Sequence, residues 1–526
     1  MHVLHHAHIH TLDPLNPYAD ALAIDQGRIV AIGSEIKIFP LARSPREIED
    51  MQARTILPGF TDSHIHTFEY GRSLSIINCE TATKQECLER VASQAACSPV
   101  GKWIFGHGWN HNIWPDGIGN ARELDAISQQ HPIFLTAKSL HAAWVNSTAL
   151  RLAGIHKETS NPDGGIIRRD SSGNPTGILL ESAAKLVEQI IPEPTSEQIC
   201  QKLLAAQETL LQIGITAIHD VDRWESMQVF HRMRQEGKLK LRVVKSIPRN
   251  HLKDAISAGL RTGEGDDWLR IGWLKLFMDG ALGPQTASML EPYKGNDKNL
   301  GILYLDTQAL YEIGYSAVEH GISLEVHAIG DRANREALNA FGSLDENNDL
   351  PKPNVPHRIE HLQLITIQDM ERLANLEITA SMQPIHATSD QKIAERYWGN
   401  RCSYAYAWQS ILKTGARLIF GSDAPVESPN PFLGLHAAIT RRSSNDPSAR
   451  SGWYPEQCLT LKEALHAYIS EPPNAAGWGD QFGRIEPGAF ADLIVLPTDP
   501  FKCPEESIET LKPKATMVNG EWVWRS

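Results

Sequence analysis

A (β/α)8 barrel carrying a small β unit built from both chain ends is the fold class that this 526-residue sequence predicts. Three observations lead to it. Short β-branched runs that close on polar residues recur eight times through the middle of the chain. Most intervals between them show the apolar three-and-four spacing of amphipathic helices. Both ends alternate apolar and polar residues and turn on glycine, as antiparallel strands do.

The first segment, "HVLHHAHIHTLDP…ADALAIDQGRIVAIGS", turns at "DQGR", and the last, "GRIEPGAFADLIVLPTDP…KATMVNGEWVWRS", contains the hairpin-like "VNGEW". The expectation is one domain from residues 1–57 plus 479–526, pinched around a barrel at 58–478. The chain is several times the length of one compact domain, so a second unit is expected. The barrel-strand signals are "TILPGFTDSHIH", "GITAIHDV", "LRVVKSI", "IGWLKLFMDG", "ISLEVHAIGD", "HRIEHLQLI", "EITASMQP" and "ARLIFGSDAP". Between the first two, "SEQICQKLLAAQETLLQIG" reads as a helix closed by glycine. In such barrels the chemistry sits at the C-terminal ends of the strands.

One interval breaks the rhythm: roughly 150 residues separate the first and second strands, far more than a crossover needs. An insertion at about 80–195 is therefore expected, holding "FGHGWNHNIWP" and "KSLHAAWVNSTALRLAGI" and suited to a lid over the barrel mouth. A second extension, "QPIHATSDQKIAERYWGNRCSYAYAW", follows the seventh strand.

Composition narrows the function classes. Apolar content of 41% and charged content of 21% are those of a globular protein. A net charge of -13 argues against a nucleic-acid partner or an anionic membrane surface, leaving a small-molecule substrate. No run of about 18 apolar residues suggests a membrane span, and "MHVLHHAHIH" lacks the features of a signal peptide. Seven scattered cysteines, without a C-x-x-C pair, suggest reduced thiols. The expectation is a soluble, cytoplasmic protein, with homo-oligomerisation left open.

The tetrapeptide HIHT occurs twice, at His8 to Thr11 and at His64 to Thr67. Residues two apart in a strand share a face, so either copy could present paired imidazoles to a metal. The second copy has a supporting cast. His64 and His66 end the first barrel strand, while later strands end in His327, His361 and Asp423. Together they make an N/O donor set of the kind favoured by zinc and similar divalent ions. His8 and His10 have only His2, His5 and His6 nearby in sequence.

With these residues in view, the chain resembles the amidohydrolase superfamily of metal-dependent hydrolases, specifically the amidohydrolase family 3 branch that includes N-substituted formamide deformylase-like enzymes. The resemblance runs from "ADALAIDQGRIVAIG" through "LPGFTDSHIH", "GHGWNHNIWP", "HAAWVNSTAL", "LKLFMDGALG", "EVHAIGDRA", "RIEHLQL", "SMQPIHATSD" and "FGSDAPV" to "GRIEPGAFADLIVL". It implies a distorted barrel with a composite β-sandwich from both termini. It further implies one or two divalent ions per chain, zinc first among them. His64 and His66 would bind the more buried ion, His327 and His361 the second, and Asp423 would touch the attacking water. Lys275 matches the fourth-strand lysine that reacts with carbon dioxide to give a bridging carbamate. After it the chain departs from the family pattern with "ALGPQTA".

The implied activity is hydrolysis of a carbon-nitrogen bond other than a peptide bond. A metal lowers the pKa of water toward about 7 and polarises the carbonyl, so that hydroxide is the expected nucleophile. Asp423 would take its proton and deliver it to the departing nitrogen. A mononuclear deaminase-like aminohydrolase and a non-catalytic ligand-binding barrel are the alternatives. Trp109 and His141 in the insertion, with Gln383 and His386 after the seventh strand, are the expected substrate contacts; His107, Asn110, His219 and Asp220 are weaker candidates.

Overall fold

The computed structural model describes residues 1–443 and 451–526. Eight parallel strands form the central barrel: β1 (Phe60–Ile65), β2 (Ile215–Asp220), β3 (Arg242–Pro248), β4 (Leu269–Phe277), β5 (Leu324–Ala328), β6 (Arg358–His361), β7 (Thr379–Met382) and β8 (Leu418–Phe420). Each coincides with one of the eight sequence signals. Pairing runs in chain order from β1 to β8. Beyond β8 the seam is bridged at the mouth, where Asp423 N–H donates to the His64 carbonyl (2.7 Å) and His66 N–H to that of Ala424 (3.0 Å). The barrel is thus closed at the end where the chemistry is expected.

The helix expected before β2 spans Ser196–Gln212, begins with a Thr195/Gln198 capping box, and is followed by Gly214 at φ +88°. Its buried Ile199, Leu203, Ala206 and Leu210 join the large core between barrel and outer helices.

Both chain ends enter one eight-stranded sheet. Its path is Glu521–Arg525, Ala515–Val518, Leu493–Leu496, Ile48–Pro58, His2–His10, Ala21–Asp25 and Arg28–Gly33, with Tyr18–Ala19 beside His2–His10. The hairpin at "DQGR" turns on Gln26 and Gly27, and that at "VNGEW" on Asn519 and Gly520, all four at positive φ. The sheet rolls over so that these turns meet: a Cβ on Gly27 would stand 2.5 Å from Asn519 Oδ1. Leu4, Leu22 and Ile29 from the N-terminal half share a core with Leu493, Val495 and Met517. The strand Ile48–Pro58 continues through Gly59 directly into β1, so one strand serves both units.

The stretch between β1 and β2 forms a separate six-stranded sheet from Ile77–Asn78, Ile104–Trp109, Ile133–Ala137, Ala142–Val145, Pro175–Glu181 and Gly165–Arg169. Two hydrophobic clusters flank it. It is clamped to the barrel beside β8, where His107 Nε2 lies 3.1 Å from the Pro425 carbonyl and Lys138 Nζ 3.2 Å from Glu427. The extension after β7 forms a helix over Pro384–Tyr397. Among the described residues no helix is long and apolar enough to cross a membrane.

Candidate metal centre

Beneath the barrel mouth lies a buried charged layer. The Arg358 guanidinium bonds Glu360, Glu325 (3.1 Å), the Ser63 carbonyl (2.8 Å) and His219 Nδ1 (2.9 Å), and it lies over the Trp273 ring. Glu325 also accepts from the Ser246 hydroxyl. Every member is paired, as burial of charge requires.

This layer orients the imidazoles above it. Glu360 takes Nδ1–H of His64, leaving Nε2 as the donor toward the site. Gln383 Oε1 does the same for His361 Nδ1–H at 2.9 Å, and the Gly280 carbonyl accepts from His327 Nε2–H at 3.0 Å, leaving Nδ1. Holding one ring nitrogen in this way fixes both tautomer and ring direction for ligation. The Nε2 atoms of His64 and His66 each stand 3.4 Å from the same oxygen, Asp423 Oδ1, while His386 Nε2 stands 3.4 Å from Oδ2. The His361 ring is 5.0 Å from that of His64 and 4.5 Å from that of His327. His64, His361 and Asp423 each offer one donor atom, all within 4.8 Å of one another.

Electrostatics agree with a cation site. Burial works against the Asp423 charge, yet hydrogen bonding from His386, His64 and His66 holds its carboxyl well below the usual carboxylate range. Burial, with repulsion from neighbouring cations, holds His327 and His361 well below the ordinary histidine value, so both keep a lone pair. Burial lowers His66 as well, but the Asp423 carboxylate outweighs it and raises the net value.

Lys275 is buried on β4 with Nζ 3.6 Å from Glu325 and without a hydrogen-bond partner. It pairs with neither Asp279 nor Asp423. Asp279 instead accepts backbone N–H groups from Ser288, Ile329 and Gly330, and burial still pushes its carboxyl up to about 7. A buried ammonium without a hydrogen-bond partner is costly, so this Nζ, the converging imidazole nitrogens and the Asp423 carboxylate fit a divalent cation with further oxygen ligands.

The expected substrate contacts separate. His141 reaches the site, its ring 5.5 Å from that of His327. Gln383 is engaged by His361, with its amide nitrogen unpaired, and His386 faces Asp423. Trp109 does not join them. It is 1% exposed, donates Nε1–H to the Leu135 carbonyl, and sits against Trp114 and Trp144 in the core of the insertion. In the first HIHT copy, His10 bonds Asp499 at 3.0 Å and stacks on Phe501, while His8 is exposed.

Sequence reasoning missed Glu360, Glu325, Arg358 and Glu181, and it weighed Asp279 only as a partner for Lys275. A signal existed for some of them: Arg358 and Glu360, like Glu325 and His327, alternate along strands otherwise buried on both sides, where a charge must have a partner. Phe277, exposed beside His327 with ring centres 5.1 Å apart, was also overlooked.

Comparisons with known proteins bear on the family and the fold. Residues 47–524 match the family model described as the amidohydrolase family. Protein LONG AFTER FAR-RED 3 of Arabidopsis thaliana is 30% identical over 507 residues, covering 93% of this chain and 86% of that protein. The N-substituted formamide deformylase of Arthrobacter pascens is 27% identical, covering 98% and 96%. Among solved structures, a metal-dependent hydrolase from Pyrococcus horikoshii superposes with a TM-score of 0.78 at 28% identity, covering 96% of this chain and 98% of that one.

Proposed function

Since the chain belongs to the amidohydrolase family, as the match over residues 47–524 shows, we propose that it is a metal-dependent hydrolase of a small molecule, cutting a carbon-nitrogen bond other than a peptide bond. The observation that carries this reading is the convergence of His64, His66, His361 and Asp423 at the barrel mouth, with the far nitrogens of His64 and His361 already held by Glu360 and Gln383. Likeness to the deformylase supports the choice of bond.

His64, His66, His327, His361, Asp423 and Lys275 would hold one or two divalent ions, zinc being the first candidate, with Lys275 acting as a carbamate after reaction with carbon dioxide. When bound, the metal lowers the pKa of water and polarises the scissile carbonyl. The chain's own residues then handle protons and position. Asp423, kept ionised by the imidazoles around it, accepts a proton from the attacking water and returns it to the departing nitrogen. An amine leaves poorly as an anion, so this transfer is needed for the bond to break. His386, 3.4 Å from Asp423 Oδ2, orients that carboxylate. His141 and the unpaired amide nitrogen of Gln383 meet the substrate's polar groups.

The test is a screen of purified, zinc-loaded protein against formamides, acyl amides, cyclic ureas and lactones. Release of amine from an amide that stops after chelation supports the reading. Turnover of lactones alone would replace the carbon-nitrogen assignment, and release of ammonia from a ring amine would favour deamination.

A further inference from the structure

Resting on the hydrolase reading above, we propose that Glu181 and His141 form a dyad that the insertion hangs over the metal centre, Glu181 positioning the imidazole and His141 Nε2 meeting the scissile amide.

His141 and Glu181 flank neighbouring antiparallel strands, Ala142–Val145 and Pro175–Glu181, and Glu181 N–H donates to the His141 carbonyl at 2.9 Å. Ordinary strand backbone would set the Glu181 side chain on one face of the sheet, in alternation with its neighbours. Glu181 instead takes φ +53° and ψ -129°, a conformation that usually belongs to glycine, and such outliers persist where surrounding contacts hold them. Here the contacts are visible. The carboxylate is 5% exposed; Oε2 accepts Nδ1–H of His141 at 2.7 Å and Oε1 accepts the Thr286 hydroxyl from the loop after β4.

That loop also reaches the metal ligands. The Gly280 carbonyl holds His327 Nε2, and a Cβ on Gly280 would stand 2.5 Å from Glu181 Oε1 and 2.2 Å from Thr286 Oγ1. One close approach therefore registers the dyad against His327. With Nδ1 committed to Glu181, the outward atom of His141 is Nε2, which has no hydrogen-bond partner among the described residues. A carboxylate on one imidazole nitrogen orients the ring and defines what the other nitrogen offers, the logic of carboxylate-histidine pairs in catalysis. Phe277, also beside His327, gives the same space an apolar surface. The geometry points to an amide carrying an apolar substituent, its polar end at His141.

Two readouts test this on the full-length, zinc-loaded protein. Nitrogen-15 NMR of labelled imidazoles, with His141 assigned by subtraction against His141→Gln, should show Nδ1 protonated in the wild type and that state lost in Glu181→Ala. Adding acetate, the acid product of an acyl amide, should move the Nε2 signal. Steady-state kinetics should show kcat/KM lowered about 100-fold in His141→Gln, a similar loss in Glu181→Ala, and no further loss in the double variant, with zinc content unchanged. Glu181→Gln, which still offers an acceptor to Nδ1, should recover part of the loss and shift the pH profile of kcat/KM. Unchanged His141 signals in Glu181→Ala, or losses that multiply in the double variant, would overturn the dyad. If wild-type protein cleaves no amide, the hydrolase reading fails, while the Nδ1 signal and the response of Nε2 to acetate still decide the dyad.

Discussion

Glu360 and His361 are consecutive residues at the end of β6, yet both serve the same centre. Glu360 takes Nδ1–H of His64 from beneath, and His361 brings its own ring to 5.0 Å from that of His64. Successive side chains of a strand face opposite ways. Here His361 turns at φ +74° and Leu362 follows at φ +45°, which swings the imidazole over the mouth while Glu360 stays inside the barrel.

Removing the Glu360 charge should therefore act on metal affinity. Glu360→Gln is expected to weaken zinc binding 10-fold to 100-fold, as loss of an outer partner of a ligating histidine does. It should also lower stability, because Arg358 loses a buried counter-charge. Chelator competition reads the first effect and thermal unfolding of the metal-free protein the second.

Asp423→Asn keeps shape and removes proton transfer. Turnover should fall about 100-fold or more with most of the metal retained. Metal content and kcat measured on the same preparation separate the two roles; a parallel loss of metal would make Asp423 chiefly a ligand.

For Lys275, the orphaned Nζ predicts that Lys275→Ala folds and loses at least part of the bound metal. Short carboxylic acids, which supply two oxygens where a carbamate would, should restore part of it. Metal stoichiometry with and without added formate or acetate checks this.

Trp109→Ala should be a stability variant. A large side chain leaving a packed core costs about 3–5 kcal/mol, and Trp109 contacts Trp114 and Trp144, not the site. Denaturant unfolding should show the loss, while the folded fraction keeps its selectivity among amides.

Acid should loosen the clamp between insertion and barrel. Burial pushes His107 down to about 4 from an ordinary 6.5, so the folded protein keeps it neutral while the unfolded chain takes up a proton. Its contribution is present above pH 6.5 and lost as pH falls toward 4, on the order of 3 kcal/mol. His107→Gln should lessen the slope of stability over that window, the other buried histidines keeping theirs, as measured by unfolding at a series of pH values.

Local pattern was enough for the barrel, for the gathering of the candidate ligands at its mouth and for the terminal sheet. Strands and helices announce themselves through periods of two and 3.6 residues, and a barrel gathers the ends of its strands whatever surrounds them. Hence "SHIH", "VHA", "EH" and "GSD" could be placed at one mouth from spacing alone. What depends on distant parts of the chain was not legible. Trp109 in "GHGWN" reads equally as lid or core, and only the folding of the insertion into its own sheet buries it. The partner of Lys275 is Glu325 on the neighbouring strand β5, and that of His64 is Glu360 across the barrel, and no period relates either pair. The turn of His361 and the meeting of Glu181 with His141 and Thr286 need backbone conformations that local propensity disfavours. They exist because closure of the barrel and docking of the insertion bring buried polar groups together, and such groups must find partners.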